Sequence, residues 1–254
     1  MALKKIRMAE GEIPYIELGS GPDLLFLHGV LATSAAYFPI LSLFSTSYHV
    51  IAPTHPGHGE SFPIPNDWKL VDFTRFYVDF LMEIGVAPAL LIGHSFGGMM
   101  SLLLARQGVG RHVIALDSPG IPFNFTIADY MQSLFKETKV AIDKHPDNAQ
   151  LMEMAQAAGT FLDTVTHHPN TPWRLAKDGP KFNIHKELRD IAIPVDLLWG
   201  QMDQIVPLVV GQMMEQIIPH SHLTVFSGLG HGYIVTDPQF TYEEIMKIIK
   251  TTAS

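Results

Sequence analysis

Short, nearly continuous apolar runs recur along the chain at Leu24–Leu27, His49–Ala52, Ala89–Ile92, Val113–Leu116, Val195–Trp199 and Leu223–Phe226. Each has strand length, and the first two are stopped by His28-Gly29 and Pro53. Runs without apolar-polar alternation predict strands buried on both faces, as in a parallel sheet covered by helices. The intervening segments carry helical spacing. Phe73, Phe76, Tyr77, Phe80, Leu81 and Ile84 recur every three or four residues, with Asp72 as the expected cap and Gly85 as the stop. Leu208–Ile218 reads as a second helix ending before Pro219, and Asp237-Pro238 opens a last one through Ile249. At the start, Lys4–Leu18 reads as two short strands joined at Ala9-Glu10-Gly11, an antiparallel edge.

The rhythm breaks between Ile121 and about Asp190, where no clear buried strand is found. Phe125–Val140 and Asn148–Val165 read instead as helices rich in Met and aromatics, with a loop at His167-His168-Pro169-Asn170-Thr171-Pro172. A helical insertion of this size between two sheet strands is expected to be a lid or a small subdomain, the lid being preferred. Gly85–Ala105 lacks Asp, Glu, Lys and Arg and would suit a membrane span by hydropathy. Gly93-His94-Ser95 in its middle argues instead for a buried strand, a tight turn and a buried helix.

That turn carries the first chemical signal. Gly93-His94-Ser95-Phe96-Gly97 is a Gly-x-Ser-x-Gly motif between a strand candidate and a helix candidate. Such a turn strains the serine backbone and crowds its neighbours, so glycines are needed at 93 and 97. It also presents the hydroxyl beside helix N-terminal amides, which favour developing negative charge. A serine nucleophile needs a base, and the base an orienting acid, in the chain order Ser, acid, His for this motif. Asp203 follows the strand Val195–Trp199, and His231 lies in the glycine-rich loop after Leu223–Phe226. Both would leave C-terminal strand ends, where open α/β sheets form ligand crevices. Asp117, at the end of Val113–Leu116, is the rival acid.

Taken together, Leu27-His28-Gly29, Pro56-Gly57-His58-Gly59-Glu60-Ser61, Gly93–Gly98, Trp199–Asp203 and Gly230-His231 resemble the α/β-hydrolase-fold serine hydrolases over nearly all of the chain outside Ile121–Asp190. The resemblance implies an α/β-hydrolase fold: a mostly parallel central sheet with helices on both faces. Residues 1–120 and 191–254 would form the core, and 121–190 a helical cap inserted after the sixth core strand. It implies a Ser95, Asp203, His231 triad and an oxyanion hole made by the backbone N–H groups of Phe96 and Val30. The side chains of Val30 and Phe96 are expected to face the pocket. One departure from the family pattern is Pro53-Thr54-His55, where Asp commonly begins the loop; this is expected to alter local hydrogen bonding.

Composition narrows the chemistry. There is no Cys among 254 residues, which excludes disulfides, thiolate zinc sites and a cysteine nucleophile. Hydrophobic residues make up 47% of the chain and charged ones only 17%, which suits a sheet covered on both faces. The net charge of −8 and the lack of a basic run disfavour nucleic acid or an anionic membrane as a partner, leaving a small-molecule substrate. Met1–Arg7 is followed by Met8-Ala9-Glu10-Gly11-Glu12 rather than an apolar stretch, so a cytoplasmic location is expected. Thirteen His are present, but His167-His168 and the His55, His58 pair lack a metal-site pattern, and no metal or cofactor is expected. His28 and His94 are expected to orient backbone near the site. His28, Phe123, Phe125, Tyr130, Met131 and Trp173 are the candidate pocket residues, with helix core the plainer reading of the cap aromatics. The expected activity is hydrolysis of a small or medium apolar acyl substrate, most simply a carboxylic ester, through an acyl-enzyme on Ser95. Cleavage of a carbon-carbon bond in a vinylogous diketone is the nearest alternative, and a ligand-sensing protein on a hydrolase scaffold is the alternative from another class.

Overall fold

The computed structural model describes residues 3–124, 148–170, 174, 178 and 181–252. Its strands are β1 (Leu3–Arg7), β2 (Glu12–Leu18), β3 (Asp23–Leu27), β4 (His49–Pro53), β5 (Leu90–His94), β6 (His112–Leu116), β7 (Val195–Gly200) and β8 (Ser221–Phe226). They form an eight-stranded sheet in the order β1-β2-β4-β3-β5-β6-β7-β8. The pairs β1–β2 and β2–β4 are antiparallel and all others parallel. The helices are α1 (Phe38–Phe44), α2 (Leu70–Glu83), α3 (Phe96–Arg106), α4 (Asn148–His167), α5 (His185–Leu188), α6 (Leu208–Ile217), α7 (Tyr233–Thr236) and α8 (Pro238–Thr252).

The strand period of two divides the core. Leu25, Leu27, Ile51 and Leu91 pack on one face with the α2 aromatics and with Met99, Met100 and Leu103 of α3. Leu24, Phe26, Val50 and Ile92 pack on the other with Ile40, Leu41 and Phe44 of α1 and Ile245 of α8. Burying each such side chain contributes about 1.5–3 kcal/mol, so the continuous apolar runs specify central strands covered on both sides. The charge-free stretch 85–105 divides into β5 and α3. Among the described residues no helix is long and apolar enough to cross a membrane.

Two expectations are corrected. Asp72 is not the cap of α2: the helix starts at Leu70, and Asp72 reaches back to accept from the Lys69 N–H at 2.8 Å. The carboxylate satisfies an unpaired helix-start donor from the third position instead of the cap position. β8 is not buried on both faces, because it is the sheet edge and Val225 is exposed.

Between β6 and β7 the described residues carry α4 and α5. α4 is seated on the loop following β4: Gly59 N–H donates to Thr164 Oγ1 at 3.2 Å, and His168 Nε2 is 2.9 Å from the Ser61 carbonyl. The expected helix at Phe125–Val140 lies outside the described residues.

Candidate active site

Ser95 sits between β5 and α3 with φ 53° and ψ −121°, a conformation side chains other than glycine rarely adopt. Its surroundings enforce it. A Cβ at Gly93 would stand 2.2 Å from the Gly97 carbonyl oxygen, and one at Gly97 2.0 Å from that of Leu27. Ser95 N–H donates to the Leu116 carbonyl at 2.8 Å, anchoring the turn on β6. α3 begins at the next residue, so Phe96 N–H belongs to the amide cluster at its N-terminus.

The Asp203 loop leaves β7 and is tied on several sides. Trp199 Nε1–H donates to the Val206 carbonyl at 2.9 Å, and Met202 N–H to the Leu229 carbonyl at 2.8 Å, fastening it to the loop that carries His231. Asp203 Oδ1 accepts two amides, from Ile205 at 2.7 Å and Val206 at 2.9 Å. Its Oδ2 lies 2.7 Å from His231 Nδ1, with the carboxylate fully shielded from solvent. A carboxylate only accepts, so Nδ1 carries the hydrogen and a neutral His231 is left with a basic Nε2.

Asp117 occupies the end of β6, fully buried with φ 47°, and its Oδ1 accepts from Gly200 N–H at 2.9 Å. Ligating atoms of His94, Asp117 and His231 lie within 4.8 Å of one another, the one grouping of metal-binding side-chain types among the described residues. His94 cannot serve a metal there without losing its present bonds. Its Nδ1 is 2.7 Å from the Tyr37 hydroxyl and its Nε2 is 2.9 Å from the His231 carbonyl. The cluster therefore reads as a second carboxylate beside the His231 imidazole.

The loop after β3 lies against the elbow: a Cβ on Gly29 would be 3.3 Å from Ser95 Cβ. This places Val30 in a segment held by the left-handed backbone of Leu31, at φ 64°. His28 is expected in the pocket, but it is fully buried and both ring nitrogens are committed. Its Nδ1 is 2.7 Å from the Gly29 carbonyl, and its Nε2 accepts from His55 N–H at 2.8 Å. His28 thus braces the loop instead of meeting a ligand. His55, standing near the position where the family commonly has Asp, returns the bond from Nε2 to the His28 carbonyl at 2.6 Å and pairs through Nδ1 with the Tyr77 hydroxyl. Burial holds all of these rings neutral: it pushes His55 down to about 3 and His58 to about 4, and His28 and His94 well below the ordinary value.

The Phe96 side chain is buried, edge-on to His55 at 5.3 Å and to Phe73 at 5.5 Å between ring centroids. Phe123 is half-buried against the same core face. Phe125, Tyr130, Met131 and Trp173 lie outside the described residues. Tyr37 and Tyr77 were invisible to motif reading, because their hydroxyls meet histidines distant in sequence and nothing local marks either residue.

Residues 24–244 match the sequence profile described as the alpha/beta hydrolase family. The chain belongs to this family. The alpha/beta hydrolase assignment agrees with the sheet order and the strand-turn-helix at Ser95, and makes the protein a hydrolytic enzyme. The chain is 36% identical over 87 residues, 34% of its length and 33% of the relative's, to (E)-2-((N-methylformamido)methylene)succinate hydrolase of Acinetobacter baylyi. It is 24% identical over 254 residues, 91% of this chain and 96% of the other, to pimeloyl-[acyl-carrier protein] methyl ester esterase of Photobacterium profundum. Among solved structures, a bacterial membrane phospholipase A shares the fold with a TM-score of 0.81 at 20% identity, covering 100% of this chain and 87% of that one.

Proposed function

We propose that this alpha/beta hydrolase is a cofactor-independent serine esterase acting on small or medium apolar acyl groups, with Ser95 as nucleophile, His231 as base and Asp203 as the orienting acid. The observation that carries the reading is the 2.7 Å contact from Asp203 Oδ2 to His231 Nδ1, in a loop bonded to the strained elbow of Ser95. Ser95 Oγ attacks the ester carbonyl while His231 Nε2 takes its proton. Asp203 accepts from Nδ1–H and stabilises the imidazolium without taking its proton. The oxyanion is received by the amides of Phe96 and Val30. The alkoxide leaves as an alcohol with the proton from Nε2, and water deprotonated by the same nitrogen releases the acid and restores Ser95. Residues 121–190 act as a cap, and the seating of α4 through Thr164 and His168 supports that reading.

The esterase reading takes support from the pimeloyl methyl ester esterase relative, which matches almost end to end. It is tested by comparing turnover of p-nitrophenyl acetate, butyrate and octanoate with that of a ring-fission vinylogous diketone. Faster ester turnover, highest for the short and medium chains, is expected; faster diketone cleavage would overturn the ester assignment.

A further inference from the structure

A chain of side-chain hydrogen bonds joins three loops, of which the sheet pairs only two: β3 and β5 are neighbours, whereas β8 stands three strands away from β5. Gly29 N–H donates to the Tyr37 hydroxyl at 3.1 Å; that hydroxyl lies 2.7 Å from His94 Nδ1, and His94 Nε2 lies 2.9 Å from the His231 carbonyl. The hydrogens can be assigned without ambiguity. The His231 carbonyl only accepts, so Nε2 carries hydrogen, and a neutral imidazole then has a bare Nδ1. The phenol must donate its single hydrogen to that nitrogen, using an oxygen lone pair for Gly29. Both side chains are buried, so water does not compete for these positions.

The consequence lies in what is connected. Gly29 precedes Val30, His94 precedes Ser95, and the last acceptor is the backbone of His231. These segments leave β3, β5 and β8, and β6 and β7 stand between β5 and β8. At about 4.8 Å per strand, β8 is roughly 14 Å from β5, too far for sheet bonding to place the His231 loop against the elbow. The His94 ring closes that gap, with its centroid 4.7 Å from that of His231. We propose that Tyr37 and His94 are positioning residues for hydrolysis, locking the oxyanion loop, the nucleophile elbow and the base-bearing loop into one geometry.

The proposal rests on the Ser95 and His231 assignment, so the test separates the two. Turnover of p-nitrophenyl butyrate is measured for wild type, Ser95→Ala, Tyr37→Phe, His94→Asn, His94→Gln and the Tyr37→Phe/His94→Asn double variant, with rates normalised to the fraction titrated by a fluorophosphonate, and for Ser95→Ala to protein concentration. His94→Asn keeps an acceptor near Tyr37 but loses the donor to His231, whereas the longer His94→Gln side chain carries an amide NH2 to donate to that carbonyl and an amide oxygen to accept from the Tyr37 hydroxyl. Tyr37→Phe and His94→Asn should each lower kcat by about tenfold or more with KM within about twofold. The double variant should cost little more than the worse single one, because one break already uncouples the loops. His94→Gln should recover most of the loss. Unchanged kcat, a loss confined to KM, or fully additive single effects would overturn the proposal. Nitrogen-15 spectra of the wild-type imidazoles give a second reading independent of any variant: His94 should be protonated at Nε2 alone, and protonation at Nδ1 would overturn the proposed direction. Wild-type turnover by Ser95→Ala would instead overturn the nucleophile assignment, and the proposal with it.

Discussion

Replacing Asp203 by Asn changes one atom, and the structure predicts which way the new amide must face. Oδ1 accepts the Ile205 and Val206 amides at 2.7 and 2.9 Å, so an asparagine carbonyl there keeps both bonds. Its NH2 then occupies the Oδ2 position, 2.7 Å from His231 Nδ1. A donor at that place demands a bare Nδ1, which moves the ring hydrogen to Nε2 and removes the base from the face that would serve Ser95. Turning the amide over would restore the useful tautomer, but at the cost of two buried N–H donors facing NH2. At about 1–3 kcal/mol for each donor left unsatisfied, the flip costs about 2–6 kcal/mol. With about 1.4 kcal/mol per factor of ten, the active arrangement falls to roughly one part in 30 to one part in 10⁴. The expected result is a loss of kcat on p-nitrophenyl butyrate of about 30-fold to 10⁴-fold, with KM nearly unchanged and thermal stability close to wild type. A kcat within threefold of wild type in a folded variant would refute the reasoning, and would turn attention to Asp117 as the acid.

Acid should destabilise the fold well before its carboxylates titrate. His55 and His58 are held neutral in the folded state, at about 3 and about 4, against 6.5 when unfolded. Between pH 6.5 and about 4 the unfolded chain binds more protons, so stability falls as pH falls, by about 1.4 kcal/mol per pH unit for each group. Going from pH 7.5 to 5 should remove about 4 kcal/mol for the pair, with His28 and His94 adding to it in the same direction; urea midpoints unchanged over that range would contradict it. Gly97→Ala would put a methyl 2.0 Å from the Leu27 carbonyl oxygen, backbone that cannot yield cheaply. It should cost about 3 kcal/mol or more, read as a large drop in Tm or a failure to fold. Thr164→Val leaves the Gly59 N–H without its partner at 3.2 Å and should cost about 1–3 kcal/mol in urea unfolding. Lys5→Ala removes an exposed pairing with Glu60 and Glu12 and should leave the urea midpoint essentially unchanged, because solvent and salt screen such pairs.

The parts of this protein that could be read from its sequence are those whose physics is local. Continuous apolar runs specified β3 to β7, since burial on both faces leaves no room for alternation. β8 has a similar run in Leu223–Phe226, but an edge position depends on which strand lies beyond it, and that is a property of the whole sheet. The elbow was legible because Gly93, Ser95 and Gly97 meet one steric demand within five residues. Asp203 and His231 were legible through chain order and loop glycines, and they are hydrogen-bonded to each other. The Tyr37–His94 link, the His28–His55 exchange and the seating of α4 on Gly59 and Ser61 join residues from 27 to 107 positions apart. No local pattern selects such partners. His28 misled for the same reason, since its neighbours in sequence gave no hint that His55 would occupy its second nitrogen.

The central claim is that Ser95 is the group that attacks the substrate. Fluorophosphonate labelling of the whole protein, followed by intact mass and peptide mapping, tests it most directly. One adduct per chain on the peptide containing Ser95 is predicted, lost in Ser95→Ala together with ester turnover. Labelling at another residue, or undiminished turnover by Ser95→Ala, would contradict the account.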